Sequence, residues 1–305
     1  MPYAVLFPGQ GSQFVGMGSD LFATRPDLLV DAADPILGWS LRDLCADGPE
    51  SELTRTDRAQ PALYALAYAL WEIFRAEAPS PAGAAGHSLG ENTALAAAGV
   101  VDFATGLGLV KVRGEAMDRA ARSAPSGMAA LLGTDADDAE ALAVARREEG
   151  GSLWVANVNA PGQVVVAGGP DDLAWADRNG RRFGVRRLIP LKVAGAFHSP
   201  FMVPAADDLS AALAAVTMGP AAFAVWGNAD AAAVEDPAEA LRRQLVNPVR
   251  FSESLAAMAA AGIDTFVHIG PGDVTAGLAR RSVPGATVHV VSSVDDVAAV
   301  AEAVQ

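Results

Sequence analysis

Within Gly86-His87-Ser88-Leu89-Gly90 a serine stands between two glycines at the G-x-S-x-G spacing of a nucleophile elbow. The glycines suit a sharp strand-to-helix turn, where a Cβ beside the serine would have no room. The helix that follows would offer free N–H groups and a positive dipole end to an oxyanion, with the N–H of Leu89, the residue after the serine, as one donor and a second from another loop. The chemistry suggested is acyl transfer through a serine ester. The plainer alternative is an ordinary turn in which Ser88 caps a helix.

A nucleophilic serine needs a base, and the chain has four histidines: His87, His198, His268 and His289. His268 and His289 alternate with valine and isoleucine, which suits a strand. His87 adjoins the serine, in a poor direction for activating it. His198, in Gly195-Ala196-Phe197-His198-Ser199-Pro200, lies in a loop that can reach a neighbouring strand end. It is the base by elimination. Chain order nominates Asp171 or Asp172 to orient it, although both suit a helix cap; a backbone carbonyl would serve instead and give a dyad.

The elements that must position these groups follow from periodicity. Residues 3–7 read as a buried strand. Residues 59–78 form a helix, with Leu63, Leu66, Ala67, Leu70, Ile73 and Phe74 at helical spacing. The segment 82–86 must be the strand before the elbow, although Ala82-Gly83-Ala84-Ala85 has poor strand propensity. Helices over 89–99 and 102–117 follow. The texture then changes: a strand at 127–133, a charged helix at 137–149, a hairpin turning at Asn159-Ala160-Pro161-Gly162, a helix to Asn179 and a strand at 186–193. That order suits a small α+β unit over residues 125–193, inserted into a larger α/β body over 1–124 and 194–305. Strands at 265–269 and 287–291 complete the body.

Composition narrows the function. Hydrophobic residues make up 51% of the 305 and charged residues 19%, enough for a large core. The net charge of -14 leaves no cationic excess for nucleic acid. Against it runs one basic cluster, Arg178, Arg181, Arg182, Arg186, Arg187 and Lys192, with no acidic residue among those from Arg178 to Lys192. Cys45 is the only cysteine, which rules out an intrachain disulfide and a paired-cysteine metal site. No signal-like start and no apolar run of about 18 residues is present, so a cytoplasmic protein away from membranes is expected.

Taken together, these motifs resemble the malonyl-CoA:acyl-carrier-protein transacylases and the related acyltransferases of polyketide synthases. The likeness covers the whole chain. It is carried in order by Phe7-Pro8-Gly9-Gln10-Gly11-Ser12-Gln13, Gln60-Pro61-Ala62, Gly86-His87-Ser88-Leu89-Gly90-Glu91 and Lys111-Val112-Arg113-Gly114. Asn159-Ala160-Pro161-Gly162-Gln163-Val164-Val165, Gly195-Ala196-Phe197-His198-Ser199, Gln244-Leu245-Val246-Asn247-Pro248-Val249-Arg250 and Gly270-Pro271-Gly272 complete it.

The resemblance implies an α/β-hydrolase-like body with a ferredoxin-like insertion. It implies that Ser88 is acylated, that His198 is base and then acid, and that the N–H groups of Gln10 and Leu89 form the oxyanion hole. Arg113 would pair with the malonyl carboxylate, and the main-chain carbonyl of Gln244 would orient His198. Phe197 and Leu89 resemble the malonyl-selective version of the pocket; Asn92 departs from the pattern. Malonyl-CoA is then the donor substrate, with no permanently bound cofactor and no metal. The partner is an acidic acyl carrier protein bearing a phosphopantetheine thiol, and the basic cluster is a docking candidate. Competing readings are an editing hydrolase of acyl carriers, a non-catalytic carrier-docking protein and, least of all, a serine peptidase.

Overall fold

The computed structural model describes residues 2–305. The chain opens with β1 (Tyr3–Phe7), then winds through four short helices, α1 (Leu21–Thr24), α2 (Ala33–Leu37), α3 (Leu41–Asp47) and α4 (Glu50–Leu53). The long α5 (Thr56–Glu77) leads to β2 (Gly83–Gly86), α6 (Leu89–Ala97) and α7 (Phe103–Ser123). Next come β3 (Gly127–Leu132), α8 (Ala136–Glu148), β4 (Leu153–Ala160), β5 (Gln163–Gly168), α9 (Pro170–Asn179) and β6 (Arg187–Pro190). The chain ends with α10 (Val203–Leu213), β7 (Ala224–Trp226), α11 (Pro237–Gln244), α12 (Phe251–Ala260), β8 (Thr265–Ile269), α13 (Val274–Ser282), β9 (Thr287–Val291) and α14 (Val297–Ala303).

Five strands form a parallel sheet in the order β7-β2-β1-β8-β9. Helices cover both faces, so its central strands are buried on both sides. Along β1, Tyr3, Val5 and Phe7 join the main core, whereas Ala4 and Leu6 face a second one around Phe251, Leu255 and Phe266. The other sheet is antiparallel, in the order β4-β5-β3-β6. Its strands and two helices follow a βαββαβ course, the ferredoxin-like topology. Its core, around Leu131, Leu142, Leu153 and Val166, lies under α8 and α9. Val158 N–H donates to Val249 O and Val249 N–H to Ala156 O, both at 2.8 Å, which stitches β4 to the segment after α11. No helix among the described residues is long and apolar enough to cross a membrane.

Several boundaries differ from the sequence reading, each for a local reason. Helix α5 starts at Thr56, because its first turn packs against Gly114 of α7, and it carries Pro61 inside it. Helix α7 runs on to Ser123, with the Asp102 carboxylate capping Thr105 N–H at 2.7 Å. In the hairpin Asn159 and Ala160 belong to β4, which leaves only Pro161-Gly162 as loop, with Gly162 at φ 72°. The closing strand ends at Pro190, because Leu191 and Val193 turn to line the cavity beside Ser88. Strand β2 forms despite its composition. A Cβ at Gly83 would stand 2.4 Å from the Trp226 ring, so tertiary packing demands the small residue that propensity disfavours.

Candidate active site

Ser88 sits between β2 and α6 at φ 51°, ψ -109°, a left-handed conformation that costs about 1–3 kcal/mol in a non-glycine residue. The turn is held by close backbone contact. A Cβ on Gly86 would lie 1.9 Å from the Gly90 carbonyl carbon, and one on Gly90 would lie 2.2 Å from Phe7 O. Asn228 clamps both sides of the elbow: Ser88 N–H donates to its Oδ1, and its Nδ2 donates to Gly86 O, both at 2.7 Å.

His198 also has a left-handed backbone, φ 57°. Its loop is pinned by Ser199 Oγ donating to Ala196 O at 2.6 Å and by Ala196 N–H donating to Ser126 Oγ at 3.2 Å. The ring lies between two oxygens, with Nε2 2.7 Å from Ser88 Oγ and Nδ1 2.8 Å from Gln244 O. A carbonyl can only accept, so the proton is on Nδ1 and Nε2 is free to take one from the serine. Burial, helped by the positive charge of Arg113, lowers the His198 pKa to about 3, so the ring is neutral at pH 7. Asp172 is engaged elsewhere: its Oδ1 accepts from Arg146 Nε at 2.7 Å and its Oδ2 from Gly169 N–H at 3.2 Å. Asp171 is exposed on α9. The group facing His198 Nδ1 is thus a main-chain carbonyl, and neither aspartate takes that place.

Arg113, on α7, is 1% exposed and reaches the serine, with Nη2 donating to Ser88 Oγ at 3.1 Å. Nη1 donates to Gln60 Oε1 at 2.5 Å and Nη2 to Gln244 Oε1 at 2.7 Å. Nε has no partner, and no carboxylate among the described residues lies within ion-pair distance of the guanidinium. Burial lowers its pKa to about 10, which still leaves it charged at neutral pH. A buried cation in contact only with two amides and a hydroxyl has no anion paired to it directly, and favours one that can reach it.

Gln10, Ser88, Leu89, Arg113, Phe197 and His198 line one cavity of about 190 Å³, with Leu191 and Val274 at its edge. Among the described residues neither the Gln10 nor the Leu89 N–H finds an acceptor, so both are available to an oxyanion. A larger cleft of about 490 Å³ between Trp71, Arg75 and Phe223 contains no nucleophile paired with a base.

The other histidines have structural partners. His87 Nε2 lies 2.7 Å from Asn159 Oδ1, and its ring meets the Phe251 ring at 5.4 Å between centroids. His268 is fully buried, with Nδ1 2.5 Å from Thr275 Oγ1 and Nε2 3.1 Å from Gly270 O. His289 lies half-buried on β9. Asn92 is buried beneath the elbow and donates to Leu89 O at 3.3 Å. All six residues of the basic cluster are exposed, and none forms an ion pair among the described residues. Cys45 is buried, which pushes its thiol pKa up to about 12.

Sequence reasoning passed over Asn228, Glu91 and the side chains of Gln60 and Gln244. Nothing in a lone Asn or Gln marks it as a clamp. Their roles come from folding that brings residues 153 and 156 positions apart in sequence into contact.

The model of the family described as "Acyl transferase domain" matches residues 5–294. The malonyl CoA-acyl carrier protein transacylase of Bacillus subtilis is 41% identical over 283 residues, 91% of this chain and 89% of that protein. A solved acyl carrier protein S-malonyltransferase from Vibrio cholerae superposes with a TM-score of 0.92 at 38% identity, covering 98% of this chain and 100% of that one. A malonyl-transacylase, solved in complex with its holo type II polyketide synthase acyl-carrier protein, superposes with a TM-score of 0.94 at 34% identity, covering 99% and 100%.

Proposed function

The chain belongs to the acyl transferase domain family, and from that premise we propose that it carries a malonyl group from coenzyme A to the phosphopantetheine thiol of an acyl carrier protein, through an ester on Ser88. The observation that carries the reading is Arg113: a buried guanidinium with no carboxylate partner, directed at the nucleophile's oxygen. A malonyl carboxylate would be the direct ion-pair partner, and a planar fork can hold it bidentately.

In the first half-reaction Ser88 Oγ attacks the thioester carbonyl as His198 Nε2 takes its proton. The developing oxyanion sits on the N–H groups of Gln10 and Leu89. Collapse breaks the carbon–sulfur bond, and the imidazolium returns the proton to the leaving thiolate. Transfer to the carrier reverses these steps with the phosphopantetheine thiol as nucleophile. The Gln244 carbonyl holds the imidazole in the required tautomer throughout.

Phe197, buried beside the cavity, limits room for an α-substituent on the acyl group. The exposed cations from Arg178 to Lys192 offer an acidic carrier a complementary surface on a protein of net charge -14. Intact-protein mass spectrometry after brief exposure to malonyl-CoA or acetyl-CoA tests the reading. The expected result is a malonyl adduct that is absent in Ser88→Ala, persists in water and moves to a holo carrier protein. An adduct lost to water without transfer would instead identify an editing hydrolase.

A further inference from the structure

Two hydrogen bonds connect Arg113, through one amide, to a buried carboxylate. Arg113 Nη2 donates to Gln244 Oε1 at 2.7 Å, and Gln244 Nε2 donates to Glu91 Oε2 at 2.7 Å. Asn228 N–H adds a second donor to that oxygen at 3.0 Å. Glu91 is 1% exposed, and its other oxygen, Oε1, has no hydrogen-bond partner. Glu91 also lines a second cavity of about 300 Å³ with Asp230, Glu235, Asp236, Glu239 and Arg243. Asp230, Glu235 and Asp236 are exposed, so this cavity opens to solvent.

We propose that Glu91 is the built-in counter-ion of Arg113, and that it takes up a proton when a dicarboxylic acyl group is loaded on Ser88. The inference rests on the malonyl reading above. With Ser88 free, one buried cation and one buried carboxylate are balanced across the Gln244 amide. A malonyl carboxylate on Arg113 adds a second anion beside the same buried guanidinium, and like charges among buried groups disfavour joint ionisation. Oε2 already accepts two bonds, so the proton goes to Oε1, arriving from water through the second cavity. A monocarboxylic acyl group adds no charge and calls for no proton.

The charged groups around Glu91 are Arg113 on α7, Asp230 after β7, Glu235 and Asp236 before α11, and Glu239 and Arg243 on α11. Burial raises the Glu91 pKa to about 7, opposed by the Gln244 and Asn228 hydrogen bonds and by Arg113, and reinforced by Asp230. The group is therefore poised where a nearby charge can change its state. Loading that raises this pKa further is favoured at low pH. The equilibrium between malonyl-CoA and malonyl-enzyme is flat below about pH 7 and falls by up to tenfold per pH unit above it.

The experiment mixes the whole enzyme with malonyl-CoA at pH 7.0 in weak buffer containing a pH indicator, with the ester counted by intact mass. About half a proton taken up per malonyl ester is expected, because a group with a pKa near 7 is about half ionised there. Glu91→Gln should form the ester with no uptake, and its loading equilibrium should stay flat between pH 7 and 8. Ester formation in wild type without uptake overturns the inference and leaves the malonyl reading standing. Uptake that persists in Glu91→Gln also overturns it, because another group then takes the proton. Absence of any malonyl ester removes the reading itself. If circular dichroism shows Glu91→Gln unfolded, the wild-type pH series decides alone: a flat equilibrium from pH 6.5 to 8.5 sinks the proposal.

Discussion

Strands β2 and β8 flank β1 in one parallel sheet, and both leave it through glycine-rich turns with a histidine alongside, yet only one turn carries strain on a side chain. After β8 the left-handed positions are Gly270 at φ 137° and Gly272 at φ 76°, where no Cβ resists. His268 there is fully engaged with Thr275 and Gly270 O. After β2 the left-handed position is Ser88, and Asn228, Gly86 and Gly90 hold it there. Among the described residues three that are not glycine have positive φ, Ser88, His198 and Ala231, and the first two share the hydrogen bond on which the proposed chemistry turns. Glycine satisfies a turn; a reactive side chain in the same conformation must be held by its surroundings.

The sharpest break of this comparison exchanges the side chains themselves. Ser88→Ala should remove the acyl adduct and lower turnover by about 10⁶-fold. His268→Asn should leave turnover within a few-fold and cost about 1–3 kcal/mol of stability in denaturant unfolding, through lost buried hydrogen bonds and volume. Equal catalytic losses would mean that the second turn is also part of the reaction site. Arg113→Ala comes next, with malonyl loading about 100- to 1,000-fold slower and acetyl loading much less affected, measured as kcat/KM for each donor.

The strained base should also show in pH dependence. His198 has its pKa depressed to about 3, so its neutral form persists well below the ordinary histidine range. The acylation rate constant at saturating donor should therefore show no break between pH 5 and 7 in rapid-quench measurements. A break near 6.5 would mean a solvated ring. The same depression disfavours the folded state as pH falls below 6.5, where only the unfolded histidine gains a proton.

Gly270→Ala probes how the two turns communicate. Its Cβ would stand 2.8 Å from Pro8 Cγ, in the loop that carries the Gln10 N–H. A loss of about 1–3 kcal/mol and a several-fold drop in acylation are expected, read from unfolding and burst kinetics. The smallest effect is at the third strained residue. Ala231→Gly relieves φ 54° where no chemistry is proposed, and should change stability by under about 1 kcal/mol with activity intact.

What was legible in the sequence follows the same division. The elbow showed itself because its glycines and serine are contiguous, and the βαββαβ unit because each element has its own periodicity. Strand β2 is legible only from its place before the elbow and against its propensity, which the packing of Trp226 and Gly90 overrides. The sequence sets the hairpin turn two residues early, because Asn159 resembles a turn residue, whereas in the fold its side chain meets His87. The Gln60–Arg113–Gln244–Glu91 chain was invisible as physics: four residues from four helices, none remarkable in its own window.

The Gln244 carbonyl that holds His198 has a genetic consequence. An aspartate in that place would be a third codon at which a single exchange could disable the relay. A peptide oxygen is written into every codon alike, so the bond to Nδ1 is hidden from point mutation at residue 244 so long as α11 keeps its course. Substitution there instead reaches the side chain, which spans Arg113, Glu91 and Ser88 O. A scan of residue 244 should thus change acyl selectivity while leaving the orientation of His198 intact.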